Sequence, residues 1–148
     1  MADTFEFASE YLKAHSILTL ATSNDDGSVA LSTVDYMWAG KSLFFMTDVR
    51  SRKAVNMQKK PVVTIIVTDQ DAGFFDAKGV EIYGKVKTTD NPEEIKAYTQ
   101  HFMTRRGFTS LPPIPDIEKN MRYYEVTPLR MRVFNNAVKP GHVEEINF

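Results

Sequence analysis

The chain of 148 residues contains no cysteine. This absence excludes disulfides, thiolate catalysis and a zinc site built on sulfur ligands. No apolar run approaches the roughly 20 residues that a membrane-spanning helix needs. The first ten residues are acidic rather than basic, which does not fit a signal peptide. We therefore expect a cytoplasmic protein without a membrane segment.

The chain also lacks an excess of charge of either sign. Eighteen Lys and Arg stand against nineteen Asp and Glu, for a net charge of -1. A protein that binds nucleic acid through bulk electrostatics is strongly basic, so we expect no nucleic-acid partner. The three histidines, His15, His101 and His142, have no metal-binding spacing and predict no metal site. His15 suits the end of a first helix, and His101 is expected to be exposed.

Length and periodicity predict a single domain, residues 1–148, of six or so strands and three helices. Pro128 interrupts the last strand, which therefore reads as an edge strand or as two short ones. Residues 108–119 read as a stiff, proline-rich loop, and residues 135–148 show no period. The predicted strands are 17–23, 28–38, 42–47, 62–68, 79–88 and 122–134, and the predicted helices run from an Asp3 cap to about His15, from Ser51 to before Pro61, and from an Asn91 cap to Gly107.

This order of elements indicates an α+β fold that is mostly β. Helices fall at the start of the chain, after the third strand and after the fifth, whereas a doubly wound parallel sheet needs regular alternation of strand and helix. A small, mostly antiparallel barrel with peripheral helices fits better, and Gly84 inside a strand suggests a bend or a close backbone approach. Because so small a barrel is filled by its own side chains, a large ligand must bind outside it. A second copy of the chain is the simplest cover for that ligand.

The charge pattern at the start of the second helix is unusual. A helix N-terminus carries a partial positive charge and normally attracts acidic residues, yet Arg50, Arg52 and Lys53 crowd this one. Free backbone N–H groups, the helix dipole and three cations together suit a phosphate or a similar anion. The alternative is that these side chains are solvated, or pair with Asp48 or with acids elsewhere.

Several segments then carry a resemblance to a known family. They are Thr47, Ser51-Arg52-Lys53-Ala54, Asn56 and Lys60-Pro61, preceded by a hairpin from Val29 to Phe45 and followed by the strand from Val80 to Val86. In this order they resemble the pyridoxamine 5′-phosphate oxidase-like family, the FMN-binding split barrels. The resemblance spans roughly Phe5 to Phe134, and its most specific element is the Ser-Arg-Lys-Ala helix start.

The resemblance implies FMN as cofactor and a split β-barrel as fold. It implies a homodimer in which two chains share both flavin sites at their interface. It also assigns cofactor-binding roles: the phosphate to Arg52 and Lys53; the ribityl chain and phosphate to Met46, Thr47 and Ser51; and the edge of the isoalloxazine ring to Leu31, Ser32, Thr33 and Val34.

The chain departs from the true oxidases at three places. Leu31 stands where they carry an arginine, Gly79 lies near the position of a glutamine, and the tail lacks their Arg-x-His substrate motif. The resemblance therefore favours FMN and the fold over oxidation of pyridoxamine phosphate.

Three functions are then open. The first is an FMN-dependent oxidoreductase that acts on a small molecule with a nicotinamide or another electron donor. The second is a flavin-binding, electron-transfer or stress-related protein without a dedicated substrate. The third is haem binding or breakdown, which is less favoured because no histidine lies in a convincing position for a haem ligand. No catalytic side chain is predicted, because a flavin carries its own redox chemistry.

Overall fold

A computed structural model describes residues 2–69, 71–110 and 117–148. Within them no helix is both long and apolar enough to cross a membrane. The elements in chain order are α1 (Ala2–Ala14), β1 (Ile17–Ser23), β2 (Val29–Asp35), β3 (Met37–Trp38), β4 (Leu43–Asp48), α2 (Arg52–Lys59), β5 (Val62–Thr68), a 3₁₀ turn (Phe74–Asp76), β6 (Lys78–Thr89), α3 (Pro92–Arg106), α4 (Ile117–Asn120), β7 (Met121–Asn135) and β8 (Val143–Asn147).

The strands form one curled antiparallel sheet in the order β2-β1-β5-β6-β7-β4-β3, and β8 pairs with β7. The two halves of the sheet meet at β7, which pairs along one edge with β6 and along the other with β4 and β8. The curl brings β2 close to β4. The expected α+β architecture, mostly β and antiparallel with helices at its periphery, is confirmed.

Apolar side chains fill the inside of the curled sheet. In β5 every second residue is buried, as expected for a strand with one face on the core. The helix α1 adds Leu12, which is fully buried, and the hydroxyl of Tyr36 donates to the carbonyl of Leu12 at 2.6 Å. A barrel of this size has no room inside for a large ligand. Fully enclosed side chains include Phe45, Ile65, Ile82, Val126 and Met131.

The predicted strand 28–38 is divided in two. Tyr36 leaves the strand pairing, and its N–H donates to the carbonyl of Ser16 at 3.1 Å. Before this residue β2 pairs with β1, and after it β3 pairs with β4. Residues 29–38 therefore begin in the strand at one end of the sheet and finish in the strand at the other end. The break at Tyr36 is the point where the chain stops pairing with β1 and starts pairing with β4. A pattern of side chains along one strand does not report such a change.

The prediction of an edge strand at Pro128 is wrong. β7 is continuous and lies inside the sheet, with Pro128 opposite Gly84 at a register shift between Tyr83 and Gly84. On the other edge Pro128 falls between the segments that pair with β4 and with β8. A proline lacks an N–H to donate, and the shift and the gap place it where the ladder is already interrupted.

Two helix ends behave as predicted and one does not. Asn91 caps α3 by accepting from the N–H groups of Glu93 and Glu94, and Gly107 ends it with a φ of 72°. By contrast, α1 begins at Ala2, so Asp3 is a first-turn residue rather than the cap. The tail without a period forms β8. Half of the predicted proline-rich loop, residues 111–116, lies outside the described residues, and its last residues, 117–119, belong to the helix α4 rather than to a loop.

Gly84 is required by the bulge, which agrees with the close approach predicted from the sequence. A Cβ atom at this position would lie 2.6 Å from the backbone oxygen of Thr127 and 2.8 Å from the side chain of Val126. We expect Gly84→Ala to lower the free energy of unfolding by about 1–3 kcal/mol in urea titrations, because the backbone at Thr127 must shift. Gly73→Ala is the matched control: its Cβ would meet nothing within 4 Å, and an equal loss there would contradict this explanation.

Candidate functional site

The connection from β4 to α2 is a tight turn closed by Ser51. The N–H of Ser51 donates to the carbonyl of Asp48 at 3.0 Å, and its hydroxyl donates to the same carbonyl at 2.7 Å. The hydroxyl oxygen also accepts from the N–H of Ala54 at 3.3 Å, which makes Ser51 the N-cap of α2. The helix therefore begins directly after a strand of the sheet, as the sequence predicts.

The first N–H groups of α2 are available to a ligand. Those of Arg52 and Lys53 make no hydrogen bond with any described residue, and the first turn holds no acidic side chain. Unpaired N–H groups and the positive end of the helix dipole attract anions. The turn therefore offers two directed donors to an anionic ligand.

One of the three cations at this turn is already engaged. Nε of Arg50 donates to Oδ1 of Asp48 at 3.0 Å, and Nη2 donates to Oδ2 at 2.7 Å. The side-chain and backbone hydrogen bonds from Arg50 lower the pKa of the Asp48 carboxyl to about 2. For Arg50 the alternative of pairing with Asp48 is thus correct.

Arg52 and Lys53 are different. Within the described residues neither forms an ion pair within 4 Å or a side-chain hydrogen bond. Arg52 is exposed and Lys53 is half-buried. The charge of Arg52 does reach Asp26, whose pKa is lowered first by hydrogen bonds from Ser28 and to a smaller extent by Arg52. Two cations beside two unpaired N–H groups form the strongest anion-attracting feature of this turn.

A groove of about 520 Å³ runs along the Arg52 side of α2, between the helix and the β1–β2 hairpin. Arg50, Arg52 and Lys59 line it together with two hairpin carboxylates. Asp25 pairs with Lys59 at 2.8 Å, and Asp26 accepts from the N–H and hydroxyl of Ser28. Asp26 therefore serves the hairpin, as its turn sequence predicts, whereas Asp25 links the hairpin to α2.

The two residues at the end of β4 have opposite orientations. Thr47 is buried, and its Oγ1 lies 3.4 Å from Oγ of Ser51, so two hydroxyls meet at the start of α2. Met46 packs on the other face, in an apolar cluster with Phe44 and Tyr98. The side chain of Thr47 therefore points toward the turn before α2. The side chain of Met46 points away from the turn, so only its backbone could contact a ligand there.

The strand segment assigned to the flavin ring lies on β2. Leu31 and Thr33 are exposed on the outer face, while Ser32 and Val34 are half-buried on the inner one. β2 lies near both α2 and β4, but no described hydrogen bond or ion pair joins these four residues to the start of α2. The structure thus brings Thr47, Ser51, Arg52 and Lys53 together, whereas the β2 residues belong to a strand that contacts α2 and β4 and have no direct polar link to this turn among the described residues.

Asn56 is a positioning residue that helical periodicity alone does not identify. Its side chain is buried, and its Nδ2 donates to Oγ1 of Thr22 at 3.1 Å and to Oδ1 of Asn24 at 2.9 Å. These hydrogen bonds fix α2 against the end of β1 and the hairpin. In the sequence, Asn56 is marked only by its place among the residues that carry the family resemblance; its hydrogen bonds appear in the structure alone.

The histidines are occupied or enclosed. Nδ1 of His15 lies 2.7 Å from the carbonyl of Tyr11, and its Nε2 lies 2.6 Å from Oδ1 of Asp69, which agrees with a role at the end of α1. The prediction for His101 is wrong: the residue is half-buried, its Nε2 is enclosed without a partner, and burial lowers its pKa. In the described part of the chain no group of three or more His, Asp or Glu could hold a metal ion.

The curled antiparallel sheet with outer helices defines the class of protein, the split β-barrel. The family model described as pyridoxamine 5′-phosphate oxidase matches residues 5–135. The chain therefore belongs to the pyridoxamine 5′-phosphate oxidase family. Among curated proteins none matches the chain.

Solved structures confirm the fold. A conserved hypothetical protein, Rv2991 from Mycobacterium tuberculosis, is 20% identical with a TM-score of 0.74, over 94% of this chain and 89% of the other. A FAD-binding protein (mll6688) from Mesorhizobium loti is 13% identical with a TM-score of 0.67, over 85% and 88%. HutZ, a haem storage protein from Vibrio cholerae, is 16% identical with a TM-score of 0.63, over 83% and 88%. Identities this low show the fold alone.

Proposed function

We propose that this chain is an FMN-binding flavoprotein whose phosphate site is the start of α2. The observation that carries the proposal is the pair Arg52 and Lys53, which have no ionic partner among the described residues, beside two unpaired N–H groups. The hydroxyl of Thr47 lies beside this set, whereas the hydroxyl of Ser51 already donates to the carbonyl of Asp48 and holds the turn in shape. A phosphate with a charge of about -1.5 to -2 suits such donors. The FAD-binding relative in fold agrees with a flavin ligand.

The phosphate contacts alone are too weak to retain a cofactor. Each charge-assisted hydrogen bond contributes about 1.5–3 kcal/mol, so two side chains supply about 3–6 kcal/mol before the cost of association. Micromolar binding needs about 8 kcal/mol. The flavin ring must therefore be buried as well, and we place it along Leu31, Ser32, Thr33 and Val34 of β2.

A second copy of the chain would cover that ring. Val29 and Leu31 are 61% and 69% exposed on the outer face of β2, which is an end strand of the sheet. In the next strands the same face carries small side chains, since Leu31 lies opposite Ala21 and Ala21 lies opposite Thr64. Exposed apolar side chains on a strand that has no second pairing partner among the described strands are prone to association. We propose a homodimer with a flavin site at each end of this interface.

When bound, FMN supplies redox chemistry, and the protein orients it and shields it. We propose an oxidoreductase that acts on a small molecule with a nicotinamide or another electron donor. Leu31 occupies the position of the arginine of the true oxidases, which weighs against pyridoxamine phosphate as substrate. The second candidate is a flavin-binding, electron-transfer or stress-related protein without a dedicated substrate.

Haem is a weaker candidate for this chain, although HutZ shares its fold. An axial ligand needs a histidine nitrogen that faces the haem iron. Both ring nitrogens of His15 face acceptors within the protein, Nε2 of His101 is enclosed, and Nε2 of His142 lies 3.6 Å from Oε2 of Glu144. These contacts support flavin over haem.

The phosphate site is tested by the double variant Arg52→Ala/Lys53→Ala. We expect the purified variant to lose its flavin, measured as visible absorption after identification of the released chromophore, because the phosphate loses both cations. Circular dichroism and the mass in solution should stay unchanged. Lys60→Ala/Lys85→Ala removes two exposed cations outside the groove beside Arg52; it is the matched control and should retain flavin. Equal flavin content in both double variants would refute the site.

The dimer is tested by Leu31→Glu. We expect light scattering on a sizing column to show a dimer for the parent chain and a monomer for this variant, since the new carboxylate would be buried at the interface. Val138→Glu replaces an apolar residue of similar exposure, 62%, that lies outside β2 and should stay dimeric. A monomeric parent chain would contradict the proposal.

Oxidation of NADH or NADPH separates the two candidate functions. We expect the flavin-loaded protein to turn over at least tenfold faster than free FMN at equal flavin concentration, a change of about 1.4 kcal/mol in the barrier. The rate is followed by the loss of nicotinamide absorbance, with Arg52→Ala/Lys53→Ala plus added FMN as control. A rate equal to that of free FMN with every donor tried would favour the non-enzymatic candidate.

A further inference from the structure

A second cleft lies on the opposite side of α2 from the groove that contains Arg52. It has a volume of about 600 Å³ and separates α2 from the end of β6 and the start of β7. This size falls within the roughly 300–1,000 Å³ of small-molecule sites. The two clefts share no lining residue. The side chains used below are Ala54, Met57, Val86, Lys87, Arg122 and Tyr124.

The wall of this cleft is apolar and rigid. Ala54, Met57, Val86 and Tyr124 are each no more than 6% exposed, because they also belong to the hydrophobic core. The ring of Tyr124 stacks on that of Phe45 with centroids 5.4 Å apart and an interplanar angle of 12°. The cleft is therefore formed before any ligand arrives, which lowers the cost of binding.

Tyr124 also brings an unused polar group to this wall. Its hydroxyl forms no hydrogen bond with any described residue, and its oxygen is not among the enclosed side-chain atoms, so the O–H lies at the surface of the cleft. A tyrosine with a buried ring and an accessible hydroxyl can present that group to a ligand. Burial raises the pKa of Tyr124, so the group remains a neutral O–H that can donate. A ligand in the cleft would accept a hydrogen bond from it.

The rim of the cleft is cationic. Nη1 of Arg122 donates to the carbonyls of Lys119 and Met121 at 3.0 and 2.9 Å, which holds the guanidinium in place. Among the side chains that the structure describes, which in this part of the chain begin at residue 119, no carboxylate lies within 4 Å of it, and none lines the cleft. Lys87 is partly neutralised by Glu125 at 3.5 Å, so Arg122 is the main charge. The remaining N–H groups of Arg122 are positioned for a carboxylate or a similar anion.

We propose that this cleft binds a small aromatic carboxylate. Its ring packs against Met57, Val86 and Tyr124, and its carboxylate pairs with Arg122 and accepts a hydrogen bond from the hydroxyl of Tyr124. Apolar walls with a few convergent polar groups are the usual composition of such sites. The inference does not rest on flavin binding, because its residues are separate from Thr47, Ser51, Arg52 and Lys53.

The test compares two probes of the same shape, 2-naphthoate and the uncharged 2-naphthamide, by isothermal titration calorimetry with excess FMN present. We expect naphthoate to bind once per chain and more tightly than naphthamide. Arg122→Gln should weaken naphthoate at least tenfold and leave naphthamide unchanged, and Tyr124→Phe should weaken naphthoate severalfold through loss of one hydrogen bond. Lys85→Gln removes an exposed cation of β6 outside the cleft and should change neither affinity.

Three results would overturn the proposal. The first is that naphthoate does not bind at millimolar concentration. The second is that the parent chain, Arg122→Gln and Tyr124→Phe all bind naphthoate with equal affinity. The third is that Arg52→Ala/Lys53→Ala, in which Arg122 is intact, loses naphthoate binding. The last result would mean that naphthoate occupies the flavin site. Retained naphthamide binding in Arg122→Gln shows that the cleft is intact, and thermal unfolding of Tyr124→Phe gives a second check on folding. Loss of flavin in Arg52→Ala/Lys53→Ala leaves this test unaffected.

Discussion

The pairing of β7 with strands on both of its edges is the constraint on which the rest of the structure depends. β6 joins along one edge, and β4 and β8 share the other, so the two halves of the sheet are connected through a single strand. The pairing requires a register shift at Gly84 and tolerates Pro128 because the ladder is interrupted there. With β4 held against β7, the end of β4 is fixed, and the start of α2 is fixed with it.

The helix α2 then has three distinct environments. Its inner face carries Met57 and the amide of Asn56, which hold it against the core and the hairpin. One flank faces a groove that contains cations and hairpin carboxylates, and the other faces a cleft with an apolar wall and a cationic rim. The N-terminus adds two unpaired N–H groups. A single eight-residue helix thus separates the proposed flavin phosphate site from the proposed carboxylate site.

Membership of the pyridoxamine 5′-phosphate oxidase family connects the proposed flavin function to the fold. The fold itself is shared by proteins described as FAD-binding and as a haem storage protein, so it does not select a cofactor. The proposal of a flavin therefore depends on the side chains of this chain. Arg52 and Lys53 have no ionic partner among the described residues, which favours a phosphate. His15 contacts Asp69, and Nε2 of His101 is enclosed, which disfavours haem.

The sequence by itself determined the local elements, since strand alternation, the Ser51 and Asn91 caps and the Asp-Gly turn act over a few residues. It also located the Ser-Arg-Lys start of α2 and the glycine at the bulge. Tertiary structure decided what depends on partners distant in the chain. It divided the strand at Tyr36, placed Pro128 inside the sheet, paired the tail with β7 and opened the cleft beside Tyr124. Strand pairing and the clefts between elements depend on contacts between residues that are far apart in the chain. A local sequence pattern does not specify those contacts.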